Sequence, residues 1–247
     1  MPPSIRLLPL AVADGPTNMA ADEALLESAA GLGVASLRFY AWSEPTLSLG
    51  YFQPATARSE VPNLNRLAWV RRSTGGAAIV HHDELTYAIA LPPGVTWQPK
   101  GESWICRFHH VLQAVLADHG IRSRAVVCGE EKQLGEVLCF LHQTAGDVLI
   151  DGSKVAGSAQ RKMRGALLQH GSILLGRSAL APQLPGIREL SGKTDLTREA
   201  LAHGLCRQFA ANTGWVIEED DWTAAESARI PEIRAQKYAN PEWNAKR

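Results

Sequence analysis

The stretch DVLIDGSKVAGSAQRKMRGALLQHGSILL, residues 147 to 175, decides the fold. It contains two runs that are rich in small and apolar residues, residues 147 to 160 and residues 165 to 175. The first run folds over at Asp151-Gly152, a dipeptide that is a strong signal for a two-residue hairpin turn. The middle of the chain is therefore predicted to form consecutive β-strands.

Further strands are predicted on the amino-terminal side of this stretch. Residues 36 to 42, SLRFYAW, and residues 46 to 52, TLSLGYF, alternate apolar with polar side chains. Residues 67 to 91 contain two strand stretches joined through Gly75-Gly76, because adjacent glycines permit the positive φ that a tight turn needs. Residues 137 to 140, VLCF, predict one more short strand.

Three helices are predicted where apolar residues recur at helical spacing. The first covers residues 18 to 31, with Thr17 or Asn18 as its cap. The second ends at Gly120, and the third occupies residues 197 to 214. Clusters of strands separated by a few helices predict an α+β fold with a mixed or largely antiparallel sheet.

Length and composition indicate one soluble globular domain. Hydrophobic cores stop growing near about 250 to 300 residues, so we expect a single domain over residues 1–247. An apolar content of 45% with 20% charged residues is ordinary for such a fold. Because 25 basic residues balance 25 acidic ones, we expect neither nucleic acid nor a membrane as a partner.

The amino terminus and the cysteines predict a cytoplasmic protein. The first apolar run is broken by Pro9 and lacks a small-residue cleavage site, so we expect no signal peptide. No run of roughly 18 apolar residues predicts a membrane-spanning helix. The cysteines are far apart, without C-x-x-C spacing, and are expected to be free thiols in a reducing compartment: Cys106, Cys128, Cys139 and Cys206.

The stretch RRSTGGAAIVHHDE concentrates arginines, glycines and histidines around one turn. Backbone N–H groups of such a turn can approach a bound ligand with positive charge nearby. On this interpretation Arg72, Gly75, Gly76 and His81 contact a substrate. The alternative is a plain hairpin with a solvated basic flank, since glycine pairs are common in turns.

The stretch GSKVAGSAQ allows the same two interpretations. Gly157, Ser158 and Ala159 form either a point of close approach for a ligand or a strand-end bulge where small residues relieve crowding. Lys154 lies on the predicted strand beside these small residues, where its side chain can line a pocket. Most lysines, however, are simply exposed.

Cys139 is the candidate nucleophile. Its neighbours Leu138 and Phe140 are apolar, and in such a setting a buried thiol is usually unreactive. An ammonium group such as that of Lys154 lowers the pKa of a nearby thiol and keeps thiolate available for attack. His142 is a competing base three residues along the chain.

The remaining histidines raise the question of a metal site. His81-His82 in a strand point to opposite faces, and His109-His110 in a helix diverge by about 100°, so neither pair forms a natural chelate. We therefore expect no metal site. His170 either serves a polar pocket or holds two strands together.

Taken together, these stretches resemble the lipoate-protein ligase and octanoyltransferase superfamily, and most closely its cysteine-dependent octanoyl-acyl carrier protein:protein octanoyltransferases. The resemblance runs nearly end to end. The matching segments, in order, are NMAADEALL, LRFYAWSEPTLSLGYFQ, VRRSTGG, HHDELTYAIAL, CF, DGSKVAGSAQRKMRGALLQHGSILL and KYANPEWNAKR.

The resemblance implies a bifurcated mixed sheet, shared with biotin-protein ligases, and a tunnel for a medium acyl chain. It implies that Cys139 attacks the thioester of octanoyl-acyl carrier protein. The acyl group then passes to a lysine of a lipoyl domain or of glycine cleavage H protein. By the same resemblance Lys154 contacts the carbonyl region and stabilises the thiolate and the developing oxyanion.

Two other activities fit the same family. A thioester donor is already activated, so the transferase needs no cofactor. An ATP-dependent lipoate or octanoate ligase would instead build an acyl-adenylate with ATP and Mg²⁺. Many ligases carry a C-terminal accessory domain that we do not expect here. The third possibility is an acyl-binding protein without catalytic activity.

One segment and two single positions depart from the family pattern. Residues 141–146 replace a proline-serine pair and an aromatic residue that usually follow CF in the transferases. Ala77 stands where members of the family often carry arginine, and His82 stands where they often carry aspartate. By the resemblance the loop at 141–146 lies close to the nucleophile, where its change either enlarges the pocket, alters the acceptor or gives His142 a polar role. Ala77 and His82 bear on the anion contacts at the glycine turn.

Overall fold

The computed structural model describes residues 3–60, 64–95, 103–135 and 137–247. Its strands, numbered in chain order, are β1 (Ser4–Leu7), β2 (Ala11–Ala13), β3 (Ser36–Trp42), β4 (Thr46–Leu49), β5 (Ala68–Arg71), β6 (Ile79–His81), β7 (Glu84–Leu91), β8 (Arg124–Ala125), β9 (Lys132–Gln133), β10 (His142–Gln143), β11 (Val148–Ile150), β12 (Ser153–Met163), β13 (Ala166–Leu174) and β14 (Val216–Glu219).

Helices pack on both faces of the strands. The α-helices are α1 (Gly15–Leu32), α2 (Trp104–Asp118), α3 (Ile187–Ser191), α4 (Arg198–Thr213), α5 (Ala224–Ile233) and α6 (Pro241–Asn244). Short turns of 3₁₀ or π geometry occupy Ala55–Ser59, Leu64–Arg66, Cys139–Leu141 and Arg234–Tyr238.

The larger sheet is mixed, and most of its strand pairs are antiparallel. Within the described ranges its order is β14-β1-β3-β7-β13-β12-β11-β8, with β2 also paired to β3. β14 pairs with β1, and both β1 and β2 pair with β3, all in parallel. The remaining pairs of this sheet, β3-β7, β7-β13, β13-β12, β12-β11 and β11-β8, are antiparallel. The predicted α+β fold with a mixed, largely antiparallel sheet is confirmed.

The opening stretch forms the three strands β11, β12 and β13. Asp151 (φ 46°) and Gly152 (φ 79°) both have positive φ in the turn between β11 and β12, as a two-residue hairpin requires. Along β12 and β13, Gly157 faces Ser172 and Ala159 faces His170. The predicted hairpin is therefore confirmed.

A second, smaller sheet holds β5, β4 and β6 in that order. β5 runs parallel to β4 and β6 runs antiparallel to it, so β5 and β6 lie on opposite sides of β4. The prediction of two strands joined tightly through Gly75-Gly76 is therefore wrong. Residues 72–78 form a longer connection across the end of β4, and Gly76 in it has φ 90°.

The chain passes between the two sheets twice, from β3 to β4 and from β6 to β7. These two crossings join the small sheet to the centre of the large one and produce the split, mixed sheet that the family resemblance implied. The backbone is closely packed where the two sheets meet: a Cβ atom on Gly50 would lie only 1.7 Å from the carbonyl oxygen of Gly76. Only glycine fits at position 50.

Two local predictions are corrected. VLCF does not form a strand: Leu138 makes a single parallel bridge to Ala78, and Cys139–Leu141 forms a 3₁₀ turn. Helix α1 is capped by Asp14, whose carboxylate accepts from the backbone N–H of Thr17 at 2.8 Å. Asn18 is fully buried and donates to the carbonyls of residues 13 and 41, so it is no cap.

The other two predicted helices are confirmed. Ser103 caps α2, and Thr197 caps α4 by accepting from the backbone N–H of Ala200 at 3.1 Å. Of the helices in the described parts of the chain, none combines the length and the hydropathy that a bilayer crossing requires.

The core has one layer on each face of the larger sheet. On one face Phe39 and Tyr87 pack against Phe108 of α2 and Leu205 of α4. On the other face the side chains of Tyr40, Trp42 and Ala88 pack against α1. Burial of this apolar surface, at about 25 cal/mol per Å², is the main source of stability.

Candidate active site

A pocket opens where α1, the two sheets and the 3₁₀ turn at Cys139 meet. It encloses about 440 Å³, part of it open to solvent. Every predicted binding residue and the predicted nucleophile line it: Arg72, Gly75, Gly76, His81, Cys139, Gly157, Ser158 and Ala159. His170, one of whose two predicted roles was to serve a polar pocket, also lines it. Residues that were not predicted complete the wall: Met19, Tyr40, Trp42, Ile79, Thr86, Gly171 and Ser172.

Two backbone contacts fix Cys139 at the edge of the pocket. Its N–H donates to the carbonyl of Ala78 at 2.7 Å, and the N–H of Ala78 donates to the carbonyl of Val137 at 2.9 Å. This short bridge ties the turn to the residues that lead into β6. Cys139 is half-buried.

The side chain of Lys154 reaches Cys139 from β12. Its Nζ lies 3.7 Å from the Sγ of Cys139 and donates to the carbonyls of His142 at 3.0 Å and Cys139 at 3.4 Å. The side chain is almost fully buried. The structure therefore brings together the thiol and the ammonium that the sequence places fifteen residues apart.

Lys154 also has a carboxylate partner that was not predicted from the sequence. Oδ2 of Asp147 lies 2.7 Å from the Nζ of Lys154, and both side chains are 3% exposed, so the two charges form a buried ion pair. The same oxygen accepts from the backbone N–H and the hydroxyl of Thr144. These bonds hold the carboxylate, and through it the ammonium.

Gly157 makes room for this lysine. A Cβ atom at position 157 would lie 2.5 Å from Cε and 2.9 Å from Nζ of Lys154. Contacts this short do not occur between real side chains, so any larger residue would displace the ammonium. Glycine at position 157 is therefore required for the Lys154 side chain, three residues earlier on β12, to reach Cys139.

Arg72 lies buried on the other side of the pocket. Its Nη1 donates to the carbonyl of Ser48 at 2.7 Å and to the hydroxyl of Ser48 at 2.6 Å. Its Nη2 donates to the carbonyls of Gly75 at 3.2 Å and Ala77 at 3.0 Å. Burial lowers the pKa of Arg72, and the charge of Cys139 is the largest influence that opposes this lowering.

His81 belongs to a buried chain of hydrogen bonds. Its Nε2 bonds to the hydroxyl of Ser48 and its Nδ1 to Oε1 of Glu84, both at 2.6 Å, while its ring stacks on Trp42 with centroids 3.7 Å apart. Burial lowers the pKa of His81 against the pull of Glu84. Burial raises the pKa of Glu84, but bonds from His81 and Thr86 outweigh it and the net shift is downward.

A second buried chain runs through His170. Its Nε2 bonds to the hydroxyl of Thr74 at 2.7 Å and its Nδ1 to Oδ2 of Asp22 at 2.8 Å. Arg38 and Tyr40 donate to the same carboxylate. His170 therefore lines the pocket, and its bonds tie the loop after β5 to α1 rather than holding two strands together.

Asp22 and Thr74 were missed from the sequence. Asp22 lies within a stretch that reads as an ordinary helix, and only its burial and its partners distinguish it. Thr74 lies within the quoted RRSTGG stretch, but without the fold nothing shows that its hydroxyl meets a histidine that far along the chain.

The hydroxyl of Ser158 forms its hydrogen bonds with residues that do not line the pocket. It bonds to the hydroxyl of Tyr87 at 2.6 Å and to Nε2 of His109 at 2.7 Å, in the layer beneath α2. Nδ1 of His109 bonds to the carbonyl of Gly146 at 2.6 Å. His109 thus links the segment after Cys139 to the strand that lines the pocket. In the described ranges no three metal-ligating side chains converge to hold an ion.

The residues that depart from the family pattern, His142, Ala77 and His82, each have a different hydrogen-bond partner. The backbone carbonyl of His142, not its ring, accepts from Lys154, and the buried Nε2 of that ring has no hydrogen-bond partner among the described residues. The carbonyl of Ala77 accepts from Arg72. His82 bonds to the hydroxyl of Ser178 at 3.1 Å.

Comparison with known proteins identifies the family of this site. Residues 14–181 match the family model described as the lipoyl protein ligase A/B catalytic domain. Octanoyltransferase LipM from Geobacillus kaustophilus is 31% identical over 263 residues, covering 93% of this chain and 94% of that protein.

Solved structures share the fold. A lipoate-protein ligase A bound with ATP has a TM-score of 0.74 at 22% identity, with 98% of each chain covered. A bi-partite lipoate protein ligase from Thermoplasma acidophilum, studied with its E2 lipoyl domain, has a TM-score of 0.70 at 21% identity and covers 99% of this chain and 97% of its own.

Proposed function

The chain belongs to the lipoyl protein ligase A/B catalytic domain family and is an octanoyltransferase, and we propose that it works through a thioester on Cys139. The octanoyl group comes from octanoyl-acyl carrier protein and ends on a lysine of an acceptor protein in lipoate biosynthesis. The observation that supports this proposal is the distance of 3.7 Å between the Sγ of Cys139 and the Nζ of Lys154.

In the first half-reaction the thiolate of Cys139 attacks the carbonyl carbon of the donor thioester. A new carbon–sulfur bond forms, and the carbonyl oxygen becomes an oxyanion that positive groups stabilise. When the oxyanion collapses, the bond to the donor sulfur breaks. The carrier's thiolate leaves and takes up a proton from water. The donor is already activated, so no ATP is consumed.

In the second half-reaction the unprotonated amine of the acceptor lysine attacks the acyl-enzyme. A carbon–nitrogen bond forms, the nitrogen gives its extra proton to water, and the carbon–sulfur bond breaks so that Cys139 leaves as thiolate. An amide is more stable than a thioester, so this step runs downhill. The ammonium of Lys154, held by Asp147 and two carbonyls, stays within reach of the departing sulfur.

The pocket supplies an apolar place for the acyl chain. Met19, Trp42 and Ile79 contribute apolar side chains to its wall, and Cys139 lies on the same wall. An acyl group attached to the sulfur can extend along these residues. Gly75 and Gly76 leave the nearby backbone open to the carbonyl end of the chain.

The proposed acceptor is a lipoyl domain or glycine cleavage H protein. The similarly folded bi-partite ligase was studied with its E2 lipoyl domain, which supports an acceptor of that kind. The principal competing activity is an ATP-dependent ligase, since the fold also occurs in a ligase bound with ATP. That activity would require ATP and Mg²⁺ and a free acid.

Transfer to a purified lipoyl domain distinguishes these activities. The wild-type protein is supplied either with octanoyl-acyl carrier protein alone or with octanoate, ATP and Mg²⁺, and octanoylated domain is quantified. We expect product from the carrier thioester without ATP, and none from Cys139→Ala. Product only with octanoate and ATP, undiminished in Cys139→Ala, would identify a ligase. No product from either donor, with retained octanoate binding, would identify an acyl-binding protein.

A further inference from the structure

Two cationic side chains lie near Cys139, and their surroundings differ. Lys154 has a carboxylate partner at 2.7 Å, and both members of that pair are buried. The pair as a whole carries no net charge. Its field at a neighbouring sulfur is that of a dipole, which falls off faster with distance than that of a single charge.

The guanidinium of Arg72 has no such partner. Its four bonds go to the hydroxyl of Ser48 and to the carbonyls of Ser48, Gly75 and Ala77, all of them neutral groups. Among the described residues no carboxylate lies within ion-pairing distance of it. Arg72 is nevertheless 3% exposed, and a buried charge without a counter-ion is costly unless something compensates it.

Among the charges that raise the pKa of Arg72 against its burial, that of Cys139 is the largest. Both residues line the same pocket. Nη2 of Arg72 bonds to the carbonyl of Ala77, and the carbonyl of the next residue, Ala78, accepts from the backbone N–H of Cys139. Glu84 also raises the pKa of Arg72, but less than Cys139 does, and its hydrogen-bonded path to Arg72 runs through His81 and the hydroxyl of Ser48.

We propose that Arg72, and not Lys154, supplies the net positive charge that keeps Cys139 in its thiolate form. The Lys154–Asp147 pair carries no net charge and acts as a hydrogen-bond donor. It positions the sulfur of Cys139 both when that sulfur attacks and when it leaves. Ser48 fixes the guanidinium, since it accepts from the same Nη1 through both its carbonyl and its hydroxyl. This inference rests on the proposed function only in taking Cys139 as the nucleophile.

The pH dependence of Cys139 alkylation tests this assignment without any acyl donor. The charged and titratable groups around the sulfur and around Arg72 include Arg72, Lys154, Asp147, His142, Tyr40, His81, Glu84 and His170. The protein is treated with iodoacetamide across a pH series, and the Cys139 peptide is quantified by mass spectrometry so that the other three cysteines do not interfere.

Two variants distinguish the roles of the two cations. Arg72→Gln is expected to move the midpoint of the alkylation profile upward by about one pH unit or more, a roughly tenfold loss of reactivity at neutral pH. The double change Lys154→Met with Asp147→Asn removes the pair but no net charge. It should move the midpoint by less than about half a unit.

A single change keeps the assignment testable if Arg72→Gln does not fold. Asp147→Asn leaves Lys154 with an unbalanced charge, so the midpoint should move downward. Circular dichroism shows which variants are folded. An upward shift in the double variant, or no downward shift in Asp147→Asn, would overturn the assignment to Arg72. An unchanged midpoint in a folded Arg72→Gln variant would do the same.

Discussion

At the scale of single residues, the site depends on contacts that only the fold creates. Cys139 and Lys154 were predictable as a pair because the family resemblance assigns them roles. Asp147 was not, although it lies seven residues before Lys154. Its carboxylate meets the ammonium only because the hairpin at Asp151-Gly152 folds β11 back onto β12.

Lys154→Ala should slow acylation of Cys139 by about 100-fold or more, since it removes a donor to the reacting sulfur. It also leaves Asp147 buried without its partner, which is expected to cost roughly 3 to 5 kcal/mol of unfolding free energy. Single-turnover acylation and urea unfolding measure the two effects. Lys162→Ala, an exposed lysine on the same strand, is the matched control and should change neither. An unchanged acylation rate would remove Lys154 from the reaction.

Alanine at the two glycines of the RRSTGG stretch should have different effects. A Cβ at Gly75 would lie 3.9 Å from the ring of Phe52, an ordinary contact, so Gly75→Ala should fold normally and bind the donor more weakly. Gly76 has φ 90°, so Gly76→Ala should lose stability, by about 1 kcal/mol or more. Thermal unfolding and the KM for the donor separate the two effects. Normal KM with a lower Tm in Gly75→Ala would indicate a purely structural turn.

At the scale of elements, the sequence predicted those whose determinants are local. The cap Thr197 and the αL residue Gly214 mark the ends of α4, and both were readable from the sequence. β5 and β6 were misplaced because their true partner is β4, which precedes both in the chain. The glycines between them suggested a hairpin, but Gly75 and Gly76 line the pocket and Gly76 packs closely against Gly50.

The cap of α1 gives a pH-dependent prediction. Burial raises the pKa of Asp14, but hydrogen bonds from Arg234 and Thr17 outweigh it, and the net shift is below the ordinary 3.8. A lowered folded-state pKa contributes stability above the unfolded pKa, and that contribution disappears as pH falls through the folded value. Asp14→Ala should therefore cost about 1 kcal/mol at neutral pH and progressively less below about pH 4.

Urea unfolding at several pH values checks this expectation. Thr197→Ala, at the cap of α4, is the control, because its hydroxyl does not titrate and its cost should not vary with pH in the same way. A cost of Asp14→Ala that stays constant down to about pH 3 would contradict the assigned role of the carboxylate.

At the scale of the whole molecule, the fold class, the split sheet and the pocket-lining segments followed from the sequence and its family resemblance. The predicted segments come from distant parts of the chain and converge where the small sheet joins the large one. What remained out of reach were the buried polar chains, Arg72–Ser48–His81–Glu84 and Thr74–His170–Asp22. They join residues that no periodicity relates, so only the packed structure reveals them.

The measurement that tests the thioester mechanism most directly is intact-protein mass spectrometry after mixing with octanoyl-acyl carrier protein in the absence of ATP. The mechanism predicts one octanoyl adduct that maps to Cys139 and is released by hydroxylamine. It also predicts that Cys139→Ala, folded by circular dichroism, carries none. A protein that transfers octanoyl groups to the acceptor while showing no hydroxylamine-labile adduct at Cys139 would contradict it.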